Sequence, residues 1–147
     1  MHLELATTDP ARLACFDVLR ELRPHLVRER FLDELARLGR QGVQLAAVLD
    51  PDVRAVACFR FIETFATGPQ LYIDDLVTAA QHRGRGYGAK LLEHLEGLAR
   101  DAGCRFLELD SGSNRLDAHR FYRRHGLEPV ALHFSKPTDG GGPWKEP

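Results

Sequence analysis

The sequence predicts an α/β chain of the α+β kind, a mixed and mostly antiparallel sheet with helices, and three observations predict it. Two helix-period runs lie near the start, strand-like runs joined by turns fill residues 43–78, and residues 71–109 read strand, glycine turn, helix, strand. The third order implies a parallel pair, because parallel strands need a crossover and a helix supplies one.

The 147 residues are enough for one domain with a core of its own. We place that domain at residues 1–136 and a mobile tail at 137–147, where Gly140-Gly141-Gly142 leaves the chain little reason to order. Hydrophobic residues at 44% and charged residues at 28% exclude global disorder. No apolar run reaches membrane-span length, and Met1-His2-Leu3-Glu4 lacks the basic and apolar regions of a signal peptide, so a cytoplasmic protein without a membrane partner is expected. A net charge of −1 with dispersed arginines argues against a nucleic-acid partner. Cys15, Cys58 and Cys104 are odd in number and sit among apolar residues, the pattern of free buried thiols. The seven histidines form no H-E-x-x-H or similar spacing, so no metal is expected.

Leu3 and Leu5 alternate with polar neighbours as a short edge strand, and Thr8-Asp9-Pro10 caps a helix carrying Leu13, Phe16, Val18, Leu19 and Leu22 as far as Pro24. Val27, Phe31, Leu35 and Leu38 mark a second helix stopped by Gly39 or Gly42. Val43–Leu49 and Val53–Phe65 form a hairpin about Asp50-Pro51-Asp52. A turn at Thr67-Gly68-Pro69 then leads to a strand over Leu71–Thr78. Leu91, Leu92, Leu95, Leu98, Ala99 and Ala102 make one helical stripe ending at Gly103, and Cys104–Leu109 follows as a strand. A helix over about Asp117–Arg124, a stop at Gly126 and a last strand over Leu127–Phe134 complete the order.

Gln81-His82-Arg83-Gly84-Arg85-Gly86-Tyr87-Gly88 lies where a strand gives way to a helix. Alternate glycines let the backbone turn tightly and bring amides close to a ligand. A helix N-terminus adds unpaired N–H groups, and two arginines add full charge, so the stretch reads as a pyrophosphate cradle. It has neither a G-K-[ST] ending nor G-x-G-x-x-G spacing, which sets aside the common nucleotide loops.

Element order and three motifs resemble the GNAT superfamily of acetyl-CoA-dependent N-acyltransferases. Gln81 to Gly86 is similar to that family's pyrophosphate signature, Asp74-Asp75-Leu76-Val77-Thr78 precedes it at the right distance, and Ala118 to Leu127 resembles the family's Ala, Tyr and Gly ending. The resemblance covers about residues 43–134. It implies an acyl-CoA N-acyltransferase fold with helices on both faces and a central parallel pair that splays. It also implies acetyl-CoA as co-substrate, a primary amine on a small molecule or peptide as acceptor, and direct attack in a ternary complex. A homodimer is compatible with it. One departure stands out: where the family often carries Asn before the Ala, this chain has Arg115, with Asn114 one residue earlier.

On this resemblance the backbone of Leu76, Val77 and Thr78 pairs with the pantetheine arm like an added strand, and the N–H of Val77 steadies the oxyanion. Gln81, His82, Arg83, Gly84, Arg85, Gly86, Tyr87 and Gly88 hold the diphosphate, while Asn114 or Arg115, and Phe121, attend the coenzyme. Tyr122 supplies the departing thiolate's proton, although periodicity alone reads it as a tyrosine packing beside Phe121. The proton lost by the ammonium goes to a carboxylate drawn from Glu63, Asp74, Asp75, Glu108 and Asp110, and Asp75 is the one preferred. Strand alternation keeps Asp74 and Asp75 on opposite sides. Phosphate contact and solvent exposure are both open to His82, and His119, His125 and His133 read as surface groups. A non-catalytic acyl-CoA-binding module is the alternative function, separated from an enzyme by thiol release.

Overall fold

Thr8 stands in extended conformation and accepts the N–H of Ala11, starting helix α1 (Asp9–Ala14) with Pro10 in its first turn, where a missing N–H costs nothing. The computed structural model describes residues 1–142. Its other elements are β1 (His2–Leu5), α2 (Phe16–Leu22), α3 (Arg28–Gly39), β2 (Gln44–Leu49), β3 (Val53–Thr64), β4 (Gly68–Thr78), α4 (Tyr87–Asp101), β5 (Phe106–Leu109) and α5 (Leu116–Arg124). Residues Met1–Leu109 form one compact unit and those from Asp110 a second.

In the first unit the sheet order is β1-β2-β3-β4-β5, antiparallel throughout except for the parallel pair β4–β5. Alternation along the strands sorts two buried sets. Leu45, Ala47, Val56, Cys58, Val77 and Ala79 join Cys15, Phe16, Val18, Leu19, Phe31 and Leu35 of the N-terminal helices, with Phe16 and Phe31 edge to face at 5.2 Å. Ala55, Ala57, Phe59, Leu71 and Ile73 lie on the other face, the one α4 covers with Leu91, Leu92 and Leu95. Each of those leucines contributes about 1.5–3 kcal/mol by leaving water.

Five sequence expectations are corrected. The single helix over residues 10–22 is two, because the N–H of Cys15 bonds the carbonyl three residues back, at Arg12, and its Sγ bonds Ala11 O. The turn expected at 67–69 falls at 65–67, with Gly68 (φ +71°) and Pro69 already in β4. Cys104 is half-buried, unlike Cys15 and Cys58. The strand over Leu127–Phe134 does not form: Pro129 has no N–H to offer, the second unit holds no strand among its described residues, and Val130, Leu132 and Phe134 are exposed. The parallel pair consequently stands at one end of the five-stranded sheet and not at its centre. Residues 143–147 of the expected mobile tail, with Trp144, lie outside the described residues.

Within the second unit α5 is closed at its C-terminus by Gly126 (φ +85°), and Leu127 N–H returns to Tyr122 O at 3.0 Å.

Candidate active site

β4 pairs with β5 only from Gln70 to Ile73, which sits opposite Leu109, and then runs on through Thr78. Among the described residues its outer edge from Asp74 onward therefore has no sheet partner. A bulge marks the change: Cys58 pairs with Asp75 and Phe59 with Ile73, so Asp74 has no residue opposite it. The strict alternation that was to separate Asp74 from Asp75 does not hold across such a bulge.

The direction of the backbone groups follows from the register. Ala79 N–H bonds Arg54 O on β3 at 2.8 Å. Alternation along the antiparallel pair then turns Val77 toward β3 as well, and leaves the N–H groups of Leu76 and Thr78 facing the open edge. Arg83 Nε reaches Thr78 O on that edge at 3.4 Å. The Val77 N–H, expected to steady an oxyanion, therefore faces β3, and the Leu76 N–H faces the edge without a sheet partner. The Val77 side chain is buried, while those of Leu76 and Thr78 are half-buried.

Beyond β4 the chain makes a 3₁₀ turn over Ala80–His82, anchored where Ala80 N–H meets the Glu21 carboxylate at 3.2 Å. Gly84 (φ +77°) and Gly86 (φ +86°) take left-handed conformations closed to most side chains, and a Cβ at either would meet nothing within 4 Å. Backbone conformation, and not crowding, calls for glycine there. Gly88 lies inside α4 without a positive φ. No side chain caps α4, so its first N–H groups remain for a ligand. Gln81, Arg83, Gly84, Arg85 and Gly86 are exposed.

Two residues of the loop face inward. Tyr87 is buried and donates its hydroxyl to Asp50 Oδ2 at 2.8 Å, which holds the Asp50 carboxyl below its ordinary range. His82 lies between two guanidinium groups, with Arg54 Nη1 at 2.5 Å from Nε2 and Arg85 Nη1 at 3.3 Å from Nδ1. Desolvation, then Arg54 and Arg85, push its imidazole below the usual value, against the pull of Asp50 and Glu21.

At the bulge the carboxylates have partners. Asp75 Oδ1 accepts from Arg23 Nε at 2.6 Å and Asp74 Oδ2 from Arg60 Nε at 3.1 Å. Arg60 also lies over the Tyr72 ring at 5.3 Å. Desolvation is the largest influence on Asp74 and raises its carboxyl. Burial pushes the Cys15 thiol up to about 12, and burial with the Asp75 charge raises Cys58 well above the usual thiol range.

In the second unit Asn114 is exposed in a turn where Arg115 N–H bonds Gly112 O, and Leu116 N–H bonds Asn114 O. His119 Nε2 lies 2.8 Å from Gly112 O, and His133 is paired with Asp110 at 3.0 Å. Phe121 and the half-buried Tyr122 stand edge to face at 5.6 Å on α5. The structure brings the β4 edge, the loop and the bulge together in one unit, and gathers Asn114, Phe121 and Tyr122 in the other. Sequence reasoning missed Glu21, Arg23, Asp50, Arg54 and Arg60. The one available signal was a charged residue inside an apolar strand, as at Arg54 and Arg60.

A mostly antiparallel sheet whose single parallel pair parts beside a glycine loop is an acyltransferase fold. The profile of the Acetyltransferase (GNAT) family matches residues 11–127, and the chain belongs to that family of acyltransferases. It is 33% identical over 141 residues to the uncharacterized N-acetyltransferase YhdJ of Bacillus subtilis, covering 94% of this chain and 99% of the relative. It is 41% identical over 64 residues to the aminoalkylphosphonate N-acetyltransferase of Salmonella typhimurium, 44% and 42% of the two chains. Among solved structures, the aminoglycoside N-acetyltransferase AAC(6')-Iy in complex with CoA superposes with a TM-score of 0.78 at 14% identity, covering 93% of this chain and 95% of that one.

Proposed function

We propose that this protein moves an acetyl group from acetyl-CoA to a primary amine of a small molecule or peptide, by direct attack in a ternary complex. One observation carries the reading: β4 leaves β5 at Ile73, runs on with an open edge, and enters a cationic glycine loop at an uncapped helix. The residues fit the coenzyme, since Arg83, Arg85 and the first amides of α4 suit a diphosphate, and an open strand edge suits a pantetheine amide. The bound co-substrate supplies an activated thioester. Gln81 and Gly84 to Gly88 line the cradle, and His82 backs it by bracing Arg85. We assign Asn114, Arg115 and Phe121 to the coenzyme as well. Both units belong to one acetyltransferase domain, since the family match runs through both.

The Leu76 N–H lies on the open edge to receive the developing oxyanion. Amine nitrogen bonds to the carbonyl carbon, the carbon–sulfur bond breaks, and Tyr122 hydroxyl gives its proton to the departing thiolate, while the proton that the nitrogen sheds on becoming an amide passes through water to restore the Tyr122 hydroxyl. The substrate ammonium first loses a proton to a carboxylate at the bulge. Each carboxylate has one oxygen on an arginine, the Asp75 pair being the shorter at 2.6 Å against 3.1 Å, and burial raises Asp74, so Asp74 is the better matched base. Raised thiols at Cys15 and Cys58 are poor nucleophiles, which favours direct attack over an acetyl-cysteine route. The test is thiol release from acetyl-CoA across amines, beside calorimetry with coenzyme A. Binding with amine-dependent release supports the reading. Binding without release for any amine returns it to an acyl-CoA-binding module.

A further inference from the structure

The four charged groups at the bulge are arranged by three elements. Asp74 and Asp75 come from β4, Arg60 from β3 and Arg23 from the residue that closes α2. The pairs are half-sequestered, at 22% and 17% exposure for Arg23 and Asp75 and 35% and 28% for Arg60 and Asp74. They cancel in charge, and the two aspartates follow directly on the last β4–β5 pair, Ile73 with Leu109. On the proposed reading, a thioester held along the open edge would meet its acceptor beside them.

Arg60 is the unusual member. It binds Asp74 through Nε, and its Cζ lies over the Tyr72 ring at 5.3 Å. A guanidinium tethered through Nε carries its two Nη groups on the far side of a planar fork, the geometry that suits an acid group. A purely cationic acceptor would bring surplus positive charge against Arg60 and Arg23. An acceptor bearing both signs instead joins the array: its anion takes the Nη edge of Arg60, and its ammonium sits against the Asp74 carboxylate, which stays on Nε.

We infer that the acceptor is amphoteric, an aliphatic primary amine carrying a carboxylate or phosphonate a few bonds away, and that Arg60 determines this specificity. The inference rests on the acetyltransferase reading above. It is tested with four acceptors of similar length, 3-aminopropanoate, 2-aminoethylphosphonate, propylamine and 1,3-diaminopropane, scored by thiol release and by saturation-transfer NMR on the coenzyme A complex. One or both amphoteric amines should exceed propylamine and the diamine at least tenfold in kcat/KM, and the stronger of them identifies the acid group. Arg60→Gln should narrow that ratio at least tenfold, mainly through KM, with Arg60→Lys intermediate. The wild-type ranking stands even if Arg60→Gln folds poorly. Preference for the diamine or propylamine, or an unchanged ratio in both variants, overturns the inference. So does coenzyme A binding with no amphoteric amine bound. Failure to bind coenzyme A at all would instead sink the acetyltransferase reading, so the two failures are distinguishable.

Discussion

The two ends of β4's open edge are built differently. At the loop end the groups offered to a ligand are mostly backbone: N–H groups of Leu76 and Thr78, left-handed glycines at 84 and 86, and the uncapped start of α4. At the bulge end they are side chains, and each carboxylate already has an arginine. On the proposed reading the contrast separates two tasks. Holding the coenzyme falls mostly to main chain, and choosing and deprotonating an acceptor falls to charged groups whose partners come from elsewhere in the sequence.

The division can be broken from the chemical side first. Tyr122→Phe should lower kcat by about a hundredfold or more, the usual contribution of a positioned acid, with coenzyme A affinity kept. An unchanged kcat in steady-state assays removes Tyr122 from the mechanism. Gly86→Val tests the other side. A branched residue at φ +86° costs on the order of 1–3 kcal/mol, and an exposed loop relieves that by moving, so coenzyme A should bind about tenfold to a hundredfold more weakly by calorimetry. Unaltered affinity would mean the loop conformation does not matter for binding.

Asp75→Ala should do the reverse. It strands Arg23 in a half-buried site and should destabilise by about 1–3 kcal/mol, below the loss for a fully buried pair, with coenzyme A affinity within about twofold. A denaturant titration that finds no change would show that the pair is not structural. The smallest effect belongs to His82. Its imidazole is depressed in the folded protein, so the unfolded chain binds more protons, and stability is full above the ordinary imidazole range near pH ~6.5 and falls as pH drops through it. His82→Asn should flatten part of the decline in thermal midpoint between about pH 7.5 and pH 5.5. Equal declines in both proteins would contradict the depressed imidazole.

The same contrast explains what could be read in advance. Periodicity placed the α4 stripe at Leu91, Leu92 and Leu95, and glycine spacing placed the turn at Gly84 and Gly86, because local conformation writes those signals into neighbouring residues. The bulge at Asp74 carries no such mark, so alternation alone sets Asp74 and Asp75 on opposite sides. Which of Val77 and Leu76 turns its N–H from β3 depends on the register set by Arg54 and Ala79, which lie 25 residues apart, and no local spacing encodes it. Arg23 and Arg60 stand 52 and 14 residues from the aspartates they bind, distances at which no spacing rule pairs side chains. Residues 127–134 show the opposite failure: a strand pattern was legible, but a strand also needs a neighbour.

Amide hydrogen exchange with and without coenzyme A tests most directly whether the main chain of this edge and loop holds the coenzyme. The arrangement predicts slower exchange at Leu76 and Thr78 and across residues 84–89, with Val77, already turned toward β3, little changed. Protection that appears elsewhere and leaves both stretches unaltered, under conditions where calorimetry shows the coenzyme bound, would contradict it.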